Sequence, residues 1–192
     1  MSDLSKAVEL NPLNANFHVC RGWVYYELKE YSKSLLDFNK AIEINPDLET
    51  IYDFRGATYI GLKDYSKAMD DFNKAIEIKP DYDSAYRSRG IYYLQIAKEY
   101  SKALDEFNKA LEVNPEFDEG YYLRGKVYMS MYNFEKAEVD FRIAYSLGVS
   151  KASKALDIIE TVKSMTPNSR KLLLDSLSLR ETINNSKPYT KN

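Results

Sequence analysis

A single cysteine, Cys20, and a single histidine, His18, stand among the 192 residues. One cysteine excludes an intrachain disulfide, so this is not a disulfide-stapled scaffold. Two potential ligands in a His-x-Cys spacing do not make a zinc site. One histidine also leaves little for His-based proton transfer or nucleophile activation. No glycine-rich phosphate-binding motif occurs. Seven glycines and six prolines are too few to turn a many-stranded β-protein. Charge of neither sign dominates. The 27 Lys+Arg against 29 Asp+Glu give a formal net charge of −2, without the basic excess of a general nucleic-acid binder. No apolar run approaches the ~20 residues of a membrane span, and MSDLSKAVELNP lacks the apolar centre of a signal peptide. The expectations are no catalytic residue, no metal, no cofactor, no nucleic acid and no membrane insertion. A free thiol without a signal leans to the cytoplasm. In contrast, 44% of residues are hydrophobic, enough for a core, and tyrosine is abundant at 17.

The few prolines carry a period. Pro12, Pro46 and Pro80 are each 34 apart, and Pro115 follows after 35. Gly22, Gly56, Gly90 and Gly125 keep step, as do Phe38, Phe72, Phe107 and Phe141, and Ala41, Ala75, Ala110 and Ala144. Asn-Lys-Ala recurs at 39–41, 73–75 and 108–110, and Tyr-Ser-Lys at 31–33, 65–67 and 100–102. The third repeat holds one extra residue between Gly90 and Ala103, placed near Ala97. A period in this range marks stacked supersecondary units, none of which buries its apolar face alone.

Each unit resembles the tetratricopeptide repeat, a 34-residue helix–turn–helix. With the first unit at 15–48, the family's aromatic fourth position holds His18, Tyr52, Tyr86 and Tyr121. The eighth position holds the four glycines, and the eleventh Tyr25, Tyr59, Tyr93 and Tyr128. The seventeenth holds Tyr31, Tyr65, Tyr100 and Phe134, and the twentieth Ser34, Ala68, Ala103 and Ala137. The resemblance implies an all-α, right-handed α-solenoid of four helix–turn–helix units (15–48, 49–82, 83–117, 118–148) followed by C-terminal capping helices. Residues 1–14 read as the tail of a preceding partial repeat, with Ala7 and Pro12 in register.

Helical spacing agrees with that reading. Tyr65, Ala68, Phe72, Ala75 and Ile76 fall on one stripe. Small residues at Gly56 and Ala68 allow close helix approach. Pro80 stops a helix, and Asp64 and Asn133 sit where an N-cap is needed. One departure from the family is regular. Arginine replaces the usual leucine before each glycine, at Arg21, Arg55, Arg89 and Arg124, and an acid precedes each signature phenylalanine, at Asp37, Asp71, Glu106 and Asp140. The pairing predicts a ladder of Arg–carboxylate bonds, within or between repeats.

After Gly148 the repeat is lost. Residues 150–165 read as an amphipathic helix bearing Ala155, Leu156, Ile159 and Val162, broken at Thr166-Pro167. Residues 168–184 read as a second helix with Leu173, Leu174, Leu177 and Ile183 available for burial, and 186–192 as a flexible tail. The segment 149–192 carries 8 basic and 4 acidic residues, so the remainder is 19 against 25. Covering the end of the stack is the expected role of 149–185, with a homo-oligomer or docking contact as the alternative.

With no reactive centre, function falls to a surface. The family's concave groove takes residues mainly from positions two, five, nine and twelve. Carried over, these are Asn16, Val19, Trp23 and Tyr26 in the first repeat, and Thr50, Asp53, Ala57 and Ile60 in the second. The third offers Ser84, Arg87, Ile91 and Leu94, and the fourth Glu119, Tyr122, Lys126 and Met129. Trp23, the one tryptophan, is the expected anchor, beside an acid at Asp53 and a base at Arg87. The resemblance implies a non-enzymatic scaffold or adaptor for a peptide or protein segment. A regulatory or assembly module of a larger polypeptide, or a groove for small ligands or carbohydrate, is the alternative. Co-chaperone members grip chaperone C-terminal carboxylates with a Lys/Asn/Arg clamp. The matching positions here are Val19, Trp23, Phe54, Ser84 and Ser88 or, one repeat later, Asp53, Ala57, Ser88, Glu119 and Leu123. Neither set matches, so a chaperone tail is not expected.

Overall fold

The computed structural model describes residues 2–166, 168–170, 172 and 173. Among them there are helices and turns but no strand. The chain divides into two compact bodies, Met1–Gly120 and the residues from Tyr121 onward. In the first body α1 (Ser2–Leu10) precedes three antiparallel helix pairs. These are α2 (Ala15–Glu27) with α3 (Tyr31–Ile44), α4 (Glu49–Gly61) with α5 (Tyr65–Ile78), and α6 (Asp83–Tyr92) with α7 (Tyr100–Val113). The second helices α3 and α5 also pack on the first helix of the next pair, α3 on α4 and α5 on α6. This is an all-α solenoid built from tetratricopeptide-like hairpins. Then come α8 (Asp118–Ser130), α9 (Phe134–Ser146) and α10 (Ala152–Ser164).

The periodic residues explain the hairpins. The periodic glycines Gly22, Gly56, Gly90 and Gly125 each face the phenylalanine ring of the partner helix. A Cβ on Gly56 would lie 2.6 Å from Phe72 Cε1, and one on Gly90 2.6 Å from Phe107 Cε1. The rings have no other room, because Phe38, Phe72, Phe107 and Phe141 are all fully buried. The connecting turns place Lys29, Lys63, Lys98 and Tyr132 in the left-handed region at φ 58–62°, and the next residue's N–H returns to the helix, as in Asp64 N to Tyr59 O at 2.9 Å. Asp64 and Asn133 are N-caps, accepting from Lys67 N and Lys136 N. Second helices end before the prolines. Asn45, Lys79 and Asn114 are extended (φ −133 to −139°), as a residue preceding proline prefers. The freed proline carbonyl is then used. Tyr52 and Tyr86 donate their hydroxyls to Pro46 O and Pro80 O at 3.0 Å. His18 takes the tyrosine's place, its Nε2 3.0 Å from Pro12 O.

The ladder forms within each repeat. Arg21, Arg55 and Arg124 each grip an aspartate with Nε and Nη2, on Asp37, Asp71 and Asp140, at 2.7–2.9 Å. Arg89 does the same to Glu106 at 2.7–3.0 Å. A bidentate guanidinium–carboxylate pair is among the stronger polar contacts. Arg55 and Arg89 also reach backward, donating Nη1 to Asn39 and Asn73 of the preceding repeat at 2.8 and 2.7 Å. That assigns a role to the recurring Asn-Lys-Ala. The lysine of Tyr-Ser-Lys lies over the eleventh-position tyrosine, Lys33 on Tyr25, Lys67 on Tyr59 and Lys102 on Tyr93, at 5.3–5.4 Å.

The extra residue of the third repeat is absorbed by a π turn, Tyr93–Ala97, between α6 and the left-handed Lys98. Tyr93 keeps its lysine partner, so the register on either side survives. Leu94, expected to line a groove, is only 4% exposed inside this turn.

In the second body, α9 and α10 enclose Phe134, Phe141, Ala144, Ile159 and Val162, with Ala155 and Leu156 packed alongside. The stripe read from 150–165 therefore faces a core. Thr166 Oγ1 accepts from Ser169 N at 3.2 Å where helix resumes, and Leu173 packs on the same core. Leu174, Leu177, Ile183 and the tail 186–192 lie outside the described residues.

Candidate functional site

The first helices α2, α4 and α6 lie next to one another in the first body, so residues three and four apart on each are presented on one side. There they enclose a cleft of about 200 Å3. Trp23 and Tyr26 come from α2, Asp53, Ala57 and Ile60 from α4, and Arg87 and Ile91 from α6, with Phe54, Phe72 and Ser88 completing the lining. Trp23 is held by stacking. Its ring lies 5.0 Å from Tyr26 at an interplanar angle of 27° and 4.7 Å from Phe54, while 37% of the residue stays exposed. A fixed aromatic with one open face loses little conformational freedom on binding.

The two charged residues differ from what their repeat positions predict. Asp53 is not an open acid. It is 3% exposed, Oδ1 accepts from Ser88 Oγ at 2.7 Å and Oδ2 from Tyr82 Oη at 3.5 Å. Burial raises its pKa above the ordinary carboxylate range, against the opposing pull of the Ser88 bond and Arg87. The Tyr82 hydroxyl is pushed up as well, first by its own burial and then by the Asp53 charge. Arg87 is more open. Its Nη1 donates to Glu119 at 3.1 Å, in a pair whose side chains are 34% and 35% exposed. Its Nε is buried and has no acceptor among the described residues.

Seven of the expected groove residues thus meet: Trp23, Tyr26, Asp53, Ala57, Ile60, Arg87 and Ile91. The others do not line the cleft. Asn16 is exposed and donates its N–H to the cap Asn14 at 3.0 Å. Val19 packs against the core around Phe38. Thr50 is half-buried, Ser84 donates to Asp83 at 3.4 Å, and Glu119 accepts from Arg87 at the edge of the site. Tyr122, Lys126 and Met129 belong to the second body. Tyr122 carries Lys126 and Lys151 over its ring at 5.9 and 4.5 Å, and Met129 packs on the Phe141 core. Phe54 and Ser88 are wall residues that the groove positions do not include. Both sit at position six, one residue after the position expected to face outward.

Among the described residues no helix is long and apolar enough to cross a membrane, and no three His, Cys, Asp or Glu side chains cluster as metal ligands would.

A model of the tetratricopeptide repeat matches residues 15–48 and 54–82, and a second model described as TPR repeat matches 97–131. No curated protein matches the chain. Solved structures do. A thermophilic TPR protein of Thermus thermophilus superposes with a TM-score of 0.73 at 17% identity, over 82% of this chain and 87% of its own. MamA gives 0.62 at 21%, over 78% and 87%. The first TPR of Spaghetti (RPAP3), bound to an HSP90 peptide, gives 0.57 at 21%, over 62% and 95%. At such identities these likenesses concern the fold.

Proposed function

The chain belongs to the tetratricopeptide-repeat family, and on that premise we propose that it is a non-enzymatic scaffold or adaptor that holds a peptide or protein segment against α2, α4 and α6. The observation carrying this reading is the cleft at Trp23, where an immobilised aromatic face stays open to solvent over Phe54 and Ile91. Such aromatic anchors in apolar surroundings dominate binding energy at protein interfaces. The peptide held by the RPAP3 domain is a precedent for the mode, not the ligand. The clamp positions here hold Val19, Trp23, Phe54, Ser84 and Ser88, and none supplies the cations that a chaperone tail needs.

The experiment is capture of the partner by crosslinking, then titration calorimetry of that partner against the wild type and Trp23→Ala. Removing a hot-spot tryptophan should weaken binding by about 2 kcal/mol, roughly thirtyfold. Circular dichroism should stay unchanged, since the ring lies at the surface of its hairpin. Unchanged affinity in the folded variant would move the site away from these helices.

A further inference from the structure

The polar groups at the cleft are unequal in what they still need. Asp53 has both oxygens occupied, by Ser88 at 2.7 Å and Tyr82 at 3.5 Å, and lies buried behind the opening. It offers nothing to a basic ligand. Arg87 is undersatisfied. Of its donors, Nη1 has Glu119, in a half-open pair that water weakens, and Nε is shielded from water with no acceptor among the described residues. A buried donor without a partner retains its full desolvation cost until an acceptor arrives. The guanidinium fork fits a carboxylate with two parallel bonds, better than it fits a lone carbonyl. Beside it, Trp23, Phe54, Ile60 and Ile91 leave an apolar space sized for one large side chain.

Resting on the scaffold reading above, we infer that the cleft selects a peptide segment in which one large apolar side chain is followed or preceded, within two residues, by Asp or Glu. The apolar side chain enters over Phe54. The carboxylate draws Arg87 away from Glu119, and that movement uncovers Nε, so that the carboxylate takes Nε and Nη2 together. Glu119 is therefore a competitor for the ligand's acid, and it restrains binding in the free protein. The acid is an internal side chain, so the segment needs no free C-terminus.

The test uses the full chain and a library of random dodecapeptides, acetylated and amidated to remove terminal charge. Trp23 is the one tryptophan, so its fluorescence reports occupation of the cleft by each selected peptide. Expected is enrichment of Phe, Leu, Ile or Met next to Asp or Glu. Arg87→Gln should weaken the best peptide about tenfold, because the two bonds to the ligand's acid replace the one that Arg87 already makes with Glu119. Replacing the peptide's acid by its amide should cost the same, and the two changes together should cost little more. Glu119→Gln should tighten binding about threefold by releasing the guanidinium; a purely structural role for the Arg87–Glu119 pair would not strengthen anything. Selected peptides rich in Lys or Arg, or acid-independent peptides indifferent to Arg87→Gln, would overturn this inference and leave the scaffold reading standing. A library yielding no peptide that changes Trp23 fluorescence would overturn both.

Discussion

Gly90→Ala adds one methyl group at the tightest point of the third hairpin. The new Cβ would stand 2.6, 2.9 and 3.0 Å from Cε1, Cζ and Cδ1 of Phe107, well inside van der Waals contact. Phe107 is 0% exposed, so the ring cannot swing into solvent, and the two helices must part by several tenths of an ångström. Overpacking costs about 1–3 kcal/mol, and a 2.6 Å contact on a fully buried ring belongs in the upper part of that range, at about 2–3 kcal/mol. Alanine returns roughly 1 kcal/mol through its better helix propensity. The net expectation is a loss of about 1–2 kcal/mol, or roughly 3–6 °C in melting temperature for a chain of this size. Thermal unfolding followed by far-UV circular dichroism measures it. The cause is isolated by adding Phe107→Leu, which removes the ring that the methyl meets. The two substitutions should then couple by about 1 kcal/mol, with the double variant more stable than the sum of its parts predicts. A Gly90→Ala protein that melts with the wild type, or a pair that is simply additive, would mean that the glycine row does not exist to admit the phenylalanine row.

Lys63 sits at φ 62° in the turn between α4 and α5, so Lys63→Gly should relieve left-handed strain and stabilise the protein by about 0.5–1 kcal/mol, read as a higher urea midpoint. Arg55→Leu strands the Asp71 carboxylate, 5% exposed, and frees Asn39; it should cost about 2–3 kcal/mol, most of it recovered when Asp71→Leu is added, again by urea unfolding. For Asp53 the folded pKa lies above the unfolded value of about 4, so folding takes up a proton in the window above pH 4. This residue's contribution to stability then falls as pH rises through that window and is flat beyond it. Asp53→Asn should accordingly be at least as stable as the wild type at pH 7, with its advantage shrinking toward pH 4; lower stability at pH 7 would refute the reading.

The residues that announce the fold are those whose contacts repeat. Gly56 with Phe72, or Arg55 with Asp71, recur in every hairpin, 16 residues apart in three and 17 apart in the third, so four copies in a single chain reveal them. Asp53 could not be read that way. Its position holds Val19, Arg87 and Tyr122 in the other repeats, and its burial depends on Ser88 and Tyr82, which arrive from farther along the chain. The cleft was half legible for the same reason. Helical spacing put Trp23 and Tyr26 on one face, but only packing shows that Phe54 from the next repeat backs the indole. The backward bonds to Asn39 and Asn73 were visible as a recurring tripeptide without a stated purpose.

The wide turn at Tyr93–Ala97 bears on how such a chain can change its length over time. A one-residue insertion inside a straight α-helix rotates everything downstream by about 100°, which would carry a buried stripe into water. Here the surplus is consumed within a single turn, and Tyr93 still meets Lys102 beyond it, as Tyr59 meets Lys67 in the unlengthened repeat. The junction between first and second helix is thus the place where duplicated copies can drift by a residue without losing one another. It is also the natural point at which to graft a label or a short foreign loop into the stack.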